Sequence, residues 1–301
     1  MAAVNRLSFA VSEGQAVAFI GPNGAGKSTT IKMLSGIIRP SAGEARVLGM
    51  VPWKERSQLV RHIGTVFGQK SQLWLHLPPQ DTFDLLAQVY ELAKFDYLRQ
   101  RDLLVERFGL ASFMDTPVRK LSLGQRMRAE IAASLLHRPR LVFLDEPTIG
   151  LDVVARQELR DLIREWNREE GLTVFLTSHD TGDIESVAER VIVINHGRVV
   201  LDGDVAAVRQ EVSDSRVVEV KFDHPFEWTD LPGVRVLSSS TYVLRLEVDR
   251  NVTGVETFIQ KLLSAGSVAD VSIEAPPLEE IIAHLYNKKE SDPFAPTLKR
   301  R

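Results

Sequence analysis

The chain of 301 residues contains no cysteine. Disulfides and thiolate-held metals are thereby excluded, and the absence fits a reducing compartment such as the cytosol. Long apolar runs are missing too. Stretches such as LVFL and VIVI fall far short of the ~20 residues that a membrane-spanning helix needs. A role at a membrane would therefore have to come through a partner. The opening residues, MAAVNRLSFAVSEGQ, are broken by Asn5, Arg6, Glu13 and Gln15, so they do not read as a secretory signal. Neither sign of charge dominates: 37 Lys and Arg stand against 40 Asp and Glu, a formal net charge of -3. No global field directs the chain to nucleic acid. Internal repeats and low-complexity tracts are absent. What is present is ordinary: 44% hydrophobic and 26% charged residues, the composition of a folded chain of about two domains.

Strand and helix patterns alternate along the first two thirds. AVAFI at 16–20 is a short buried-type strand that runs into GPNGAGKST, and TIKMLSGI follows with helical spacing. Residues 61–69 read as a strand ending in FGQ. From about 79 to 138 the period is helical, in DTFDLLAQVYELAKF, LRQRDLLVERFGL and QRMRAEIAASLLH. RLVFLDEP is a buried strand, VVARQELRDLIREWNREE a charged amphipathic helix, and LTVFLTSHD another strand. A helix and a strand pair with a His-Gly turn follow. This alternation predicts an α/β fold with a parallel sheet and an all-helical insertion at about 70–138. Past residue 205 the pattern changes to short alternating strands (SRVVEVKF, VRVLSS, TYVLRLEV), a helix, the strand VADVSIEA and a last helix opened by Pro277. That predicts a small α+β domain at 206–288. The tail 289–301, with two prolines and scattered charge, is expected to be disordered.

Gly21, Gly26, Lys27 and Ser28 satisfy G-x-x-x-x-G-K-[ST] between a strand and a helix. Backbone N–H groups of Gly21, Pro22, Asn23, Gly24, Ala25, Gly26, Lys27, Ser28 and Thr29 (Pro22 excepted, having none) are expected to curl around phosphates, aided by the helix dipole. Lys27 should reach the β- and γ-phosphates and Ser28 should hold Mg²⁺. No NKxD guanine reader appears, which favours adenine. LVFLDEP sets Asp145 and Glu146 at the carboxyl end of a strand, where α/β sheets bind ligands. Asp145 is expected to hold Mg²⁺ through water. Glu146 is expected to polarise the attacking water as general base. Gln69 can offer its carbonyl to Mg²⁺ and its amide to the lytic water, and His179 can donate to a γ-phosphate oxygen. Taken singly, Gln69 reads as a surface residue, His179 as a satisfied polar one, and Asp152 and Ser122 as helix caps.

Their order along the chain changes the reading. A phosphate loop, a glutamine after a strand, a helical insertion, LSLGQ, an apolar strand with DE, GLD, and a strand with SH resemble the ATP-binding cassette (ABC) ATPases over about residues 4–205. The resemblance implies that Gly21–Thr29 is Walker A and Gln69 the Q-loop. Leu121–Gln125 would be the signature, Leu141–Glu146 Walker B, Asp152 the D-loop and His179 the switch histidine. It also implies that two subunits pack head to tail. Ser122, Leu123, Gly124 and Gln125, with Asp152, would then act across the interface on the partner's nucleotide. The closer resemblance is to bacterial export-type members that pair with separate permeases, drug-resistance and ion-extrusion relatives among them; PPLEEIIAHLY resembles their accessory C-terminal domain.

Two departures stand out. Leu123 occupies a position more often glycine; with Gly124 retained, little loss is expected. Family members also open with a strand whose aromatic residue stacks on adenine, whereas VNRLSFAVSEG, close behind Met1, already matches the next strand. Either the reading frame starts upstream, or ATP binds more weakly, base–aromatic stacking being worth ~1–3 kcal/mol in other systems. Loss of that strand would also expose a sheet edge. SQLWLHLPP directly follows Gln69 in the region of the insertion. Leu73, Trp74 and Leu75 are expected either to help form a socket for a permease helix or to pack the insertion.

The resemblance thus implies an ATPase subunit with ATP and Mg²⁺ as cofactors. Its partners would be a second copy or paralogue and an integral-membrane permease, with no nucleic acid. Its place would be the cytoplasm, peripheral on the inner face of the cell membrane, and its direction export. The alternatives are a soluble non-transport ABC ATPase of translation or DNA maintenance, and an N-terminally truncated, poorly hydrolysing regulatory module. The single cassette and the lack of a long heptad run weigh against the translation and DNA types.

Overall fold

The structure is a computed structural model that describes residues 3–68, 71–211, 215–226, 228–249 and 252–274. Gln69, the helix expected after Pro277 and the tail 289–301 lie outside the described residues. The chain divides into two units after Val205.

In the first unit the elements run β1 (Ala16–Ile20), α1 (Lys27–Leu34), α2 (Arg56–Leu59), β2 (Ile63–Phe67), α3 (Pro79–Val89), α4 (Lys94–Arg107), α5 (Leu123–Leu135) and β3 (Leu141–Asp145). Then come α6 (Val153–Glu170), β4 (Thr173–Ser178), α7 (Thr181–Val187), β5 (Arg190–Asn195) and β6 (Arg198–Asp204). The sheet order is β2-β3-β4-β1-β5-β6. The β1–β4, β1–β5, β2–β3 and β3–β4 pairs are parallel, and β6 returns antiparallel beside β5.

Strands covered on both faces read as continuous apolar runs, and AVAFI in β1 and TVFLTS in β4 are buried at every position. Alternate residues feed separate cores. Val142, Leu144, Val174 and Leu176 face a cluster shared with α3–α6. Leu141, Phe143, Phe175 and Phe19 face the other, with Ile31 of α1. The parallel order puts the carboxyl ends of β1, β2, β3 and β4 side by side, and the phosphate-type loop, Asp145 and Glu146, and His179 sit at or just past the ends of β1, β3 and β4.

Residues 4–14, expected as a strand, form none. A strand exists through its ladder, and this backbone has no strand partner among the described residues. The alternation is nevertheless used: Leu7, Phe9 and Val11 pack half-buried on the second core. The Phe9 ring lies 5.5 Å from Phe19 and 5.9 Å from Phe175.

In the second unit, α8 (Val205–Glu211), which starts at the division, leads to β7 (Ser215–Phe222), β8 (Val234–Ser239), β9 (Val243–Asp249), α9 (Val255–Ala265) and β10 (Val268–Glu274). The antiparallel order is β10-β7-β9-β8. Phe258 and Leu262, one turn apart on α9, pack on Val218, Val220, Phe222, Leu244, Leu246 and Val248.

The first unit carries one half-buried imidazole with consequences for stability. His137 stacks on Tyr90 with centroids 3.9 Å apart. Its Nε2 donates to the Ile63 carbonyl at 3.0 Å, and its Nδ1 is buried without a partner. Burial lowers its pKa to about 4. The unfolded chain therefore takes up this proton first, and His137 removes stability as pH falls from about 6.5 towards 4. Between pH 7 and 5, native protein should lose about 2 kcal/mol relative to His137→Phe. Urea titrations of both proteins at the two pH values measure this, and parallel losses would refute it.

Candidate functional site

The phosphate-type loop joins β1 to α1. Gly26 caps α1 in a left-handed conformation at φ 107°, and a Cβ there would come within 2.5 Å of the Ala3 carbonyl. Glycine is required on both counts. Lys27 is buried, 6% exposed, and its ammonium donates to the Gly21 carbonyl at 2.7 Å. It also lies 3.6 Å from Glu146 Oε1. His179, at the end of β4, brings Nδ1 to 3.7 Å from the same carboxylate oxygen. Three sequence-distant residues thus converge on one point.

Asp145 looks the other way. Its Oδ1 accepts from Ser28 Oγ at 3.2 Å and from Thr177 Oγ1 at 2.6 Å. The divergence of neighbouring carboxylates has a backbone basis. Glu146 has φ 54°, a conformation that costs roughly 1–2 kcal/mol in a non-glycine residue. Its N–H donates to the Thr177 carbonyl at 3.0 Å and to Thr177 Oγ1 at 3.1 Å. Gly68 N–H donates to the Asp145 carbonyl at 2.9 Å, and a Cβ on Gly68 would stand 2.7 Å from the Glu146 carbonyl. The glycine before Gln69 is therefore set by Walker B. Thr177 escaped the sequence reading, because nothing in TVFLTS separates it from Thr173 and Ser178 until the register sets it opposite Asp145.

Ser122 caps α5 in a complete capping box. Gln125 N–H donates to Ser122 Oγ at 3.2 Å and Ser122 N–H to Gln125 Oε1 at 2.9 Å. Leu123 is the first helical residue and lies against Gly150, where a Cβ would meet its Cδ2 at 3.1 Å. Gly124 faces Ala155. Asp152 caps α6 by accepting from Ala155 N–H at 2.9 Å. Within one chain the structure does not bring Ser122–Gln125 to the Lys27–Glu146–His179 cluster by any hydrogen bond or ion pair among the described residues. Of the apolar residues expected as a socket, Leu73 is 2% exposed and belongs to the core, because it sits among the helices between β2 and β3. Trp74 and Leu75 stay half-exposed.

Residues 4–149 match the ABC transporter family. A daunorubicin resistance ATP-binding protein from Streptomyces coeruleorubidus is 32% identical over 289 residues, covering 94% of this chain and 90% of its own. The chain belongs to the ABC transporter ATP-binding family. An uncharacterised ABC transporter ATP-binding protein from Bacillus subtilis is 34% identical, covering 70% of this chain and 67% of its own. Among solved structures, an ATP-binding subunit of an ABC transporter superposes with TM-score 0.63 at 27% identity, covering 70% of this chain and 87% of that one. A dimeric cassette in a post-hydrolysis state with ADP and phosphate superposes with TM-score 0.60 at 28% identity, covering 67% and 90%. The chain is an ATP-binding and ATP-hydrolysing subunit that powers a membrane permease. No helix among the described residues is long and apolar enough to cross a membrane.

The segment around His179 is anchored from behind. Asp183 is fully buried and accepts from Ser178 Oγ at 2.5 Å, Thr148 Oγ1 at 2.5 Å and Arg160 Nε at 2.7 Å. Asp180 accepts from Arg156 at 2.5 Å and Arg160 at 3.0 Å, and Arg156 also donates to the Leu151 carbonyl at 3.2 Å. His179 is thus flanked by two anchored neighbours, and Arg156 also ties this segment to the turn before Asp152. Asp183→Asn leaves Arg160 with Asp180 as its one carboxylate and replaces a buried acceptor of three hydrogen bonds by an amide, and should cost about 3 kcal/mol. Chemical denaturation measures it; a change below about 0.5 kcal/mol would mean that the network does not hold the segment.

Proposed function

We propose that the cassette binds ATP with Mg²⁺ at Gly21–Thr29 and cleaves it with Glu146 as general base. The site is completed by Ser122, Leu123, Gly124, Gln125 and Asp152 of a second copy or a paralogous subunit. The reading is carried by one observation: Glu146 Oε1 stands 3.6 Å from Lys27 Nζ and 3.7 Å from His179 Nδ1. A γ-phosphate drawing Lys27 away frees Glu146 to accept a proton from water as its oxygen bonds to the γ-phosphorus. The bond to the ADP oxygen breaks, His179 donates to a γ-phosphate oxygen, and Gln69 orients the water.

The oxygen set beside the loop suits Mg²⁺, which takes one or two carboxylates plus phosphate oxygens and waters. Ser28 and Asp145 supply a hydroxyl and a carboxylate already in contact, and Gln69 is proposed beside them. Among the described residues no cluster of three His, Asp or Glu competes as a cage for another metal. The bound ion supplies charge neutralisation at the phosphates.

Val153 and Val154, 81% and 68% exposed directly after Asp152, support a face that docks against another subunit. Half-exposed Trp74 and Leu75 support a permease contact. Similarity to proteins named for daunorubicin and linearmycin resistance supports export, with the subunit held peripherally on the cytoplasmic face. Glu146→Gln should keep ATP binding, lower turnover by at least about a hundredfold and accumulate an ATP-dependent dimer on gel filtration. Turnover that persists would remove Glu146 from its role.

A further inference from the structure

One buried carboxylate has no part in the chemistry above. Glu130 lies on α5, eight residues past Ser122 and 4% exposed; two helical turns, about 12 Å, separate the two. The hydrogen bonds to its carboxylate all come from one loop, and the charge of Arg126 lies near enough to favour the ionised form. Ser71 Oγ donates to Glu130 Oε1. Gln72 N–H donates to Oε2 at 3.1 Å, and Gln72 Nε2 donates to the Glu130 main-chain carbonyl at 2.8 Å. Leu73 N–H donates to Ser71 Oγ at 3.2 Å and closes the turn around the carboxylate. Burial raises the Glu130 pKa, while Ser71 and the loop N–H groups pull it back down. A buried carboxylate costs several kcal/mol unless hydrogen-bonded, and a satisfied one fixes its surroundings.

The far side of the same loop is attached as well. Arg119 N–H donates to the Leu75 carbonyl at 2.9 Å and Val118 N–H to the Leu77 carbonyl at 3.1 Å. Val118 and Arg119 lie two to three residues before Leu121. The half-exposed pair Trp74–Leu75 is therefore bracketed by bonds to the segment that carries the signature, through Glu130 behind it and through 118–119 ahead of it.

We propose that Glu130 is a positioning residue that makes the Ser71–Leu77 loop and the signature helix one mechanical body. Force applied at Trp74 and Leu75 then reaches Ser122–Gly124 directly, and with it the nucleotide held by the partner subunit, without passing through this chain's own phosphate loop. This inference rests on the proposed trans-acting signature.

The test uses the absence of cysteine. In Glu146→Gln protein, Leu75→Cys supplies the only thiol of the full chain, and a polarity-sensitive fluorophore on it reports on the loop. Addition of ATP and Mg²⁺ should change the fluorescence in step with dimer formation measured by sedimentation. Ser71→Ala, a change in an exposed loop residue, and Glu130→Ala should each lose most of that signal while the ATP-dependent dimer persists. Glu130→Gln keeps an acceptor for Gln72 N–H and should restore part of it. A parent that dimerises without any signal, or a Ser71→Ala protein with the parent's full signal, overturns the inference and leaves the trans-acting reading standing. Loss of the dimer together with the signal in Ser71→Ala assigns the bond to assembly and also overturns it. Absence of any ATP-dependent dimer in Glu146→Gln overturns both readings.

Discussion

Asp145 and Glu146 are adjacent in sequence yet answer to different neighbours, and the left-handed backbone at Glu146 is what separates them. Asp145 stays with the hydroxyls of Ser28 and Thr177, on the side suited to a cation. Glu146 turns towards Lys27 and His179. Roughly 1–2 kcal/mol of backbone strain is offset by hydrogen bonds from both flanking segments, Gly68 on one side and Thr177 on the other. The rest of the cassette follows from that turn. β3 must be central, so that strands on either side can brace it, and Gly68 must lack a side chain.

The two halves of the proposed catalytic arrangement differ in how they are held. The cis half is fixed by strand ends and by the contact of buried Lys27 with part-buried Glu146. The signature half is a capped helix start whose exposed Ser122 has its hydroxyl engaged locally with Gln125. A cap and a phosphate contact are compatible, because helix N-termini present free N–H groups to anions. Two sets of bonds reach back from these halves. The Arg156 and Arg160 pairs with Asp180 and Asp183 join α6 to the His179 segment, and Arg156 reaches the Leu151 carbonyl in the turn before Asp152. Glu130 joins the signature helix to the loop bearing Trp74.

Much of this was legible in the sequence where the chemistry is local. GPNGAGKST after AVAFI names its own strand, loop and helix, and Ser122 and Asp152 read as caps because a cap is defined by its next three residues. The parallel sheet followed from alternation, since covered strands carry unbroken apolar runs. Properties that arise only when distant segments meet were not legible. Ser71 and Glu130 are 59 residues apart, and nothing in RMRAE marks its glutamate as buried. Asp183 looked like any helix residue. Thr177 became relevant only through its register opposite Asp145. Residues 4–14 show the converse: their alternation is real, but a strand also needs a neighbour, and here the apolar side chains pack without a ladder. Leu73 was grouped with Trp74 by adjacency, whereas the loop turns it inward.

The central claim is that ATP is cleaved only when a neighbouring subunit's signature closes over the phosphate loop. It is tested most directly by the specific ATPase activity of the purified chain across a wide dilution series at saturating ATP and Mg²⁺. The account predicts that activity per molecule falls on dilution, as expected for a reaction that needs two subunits. Activity per molecule that stays constant down to concentrations at which only monomer sediments would contradict it.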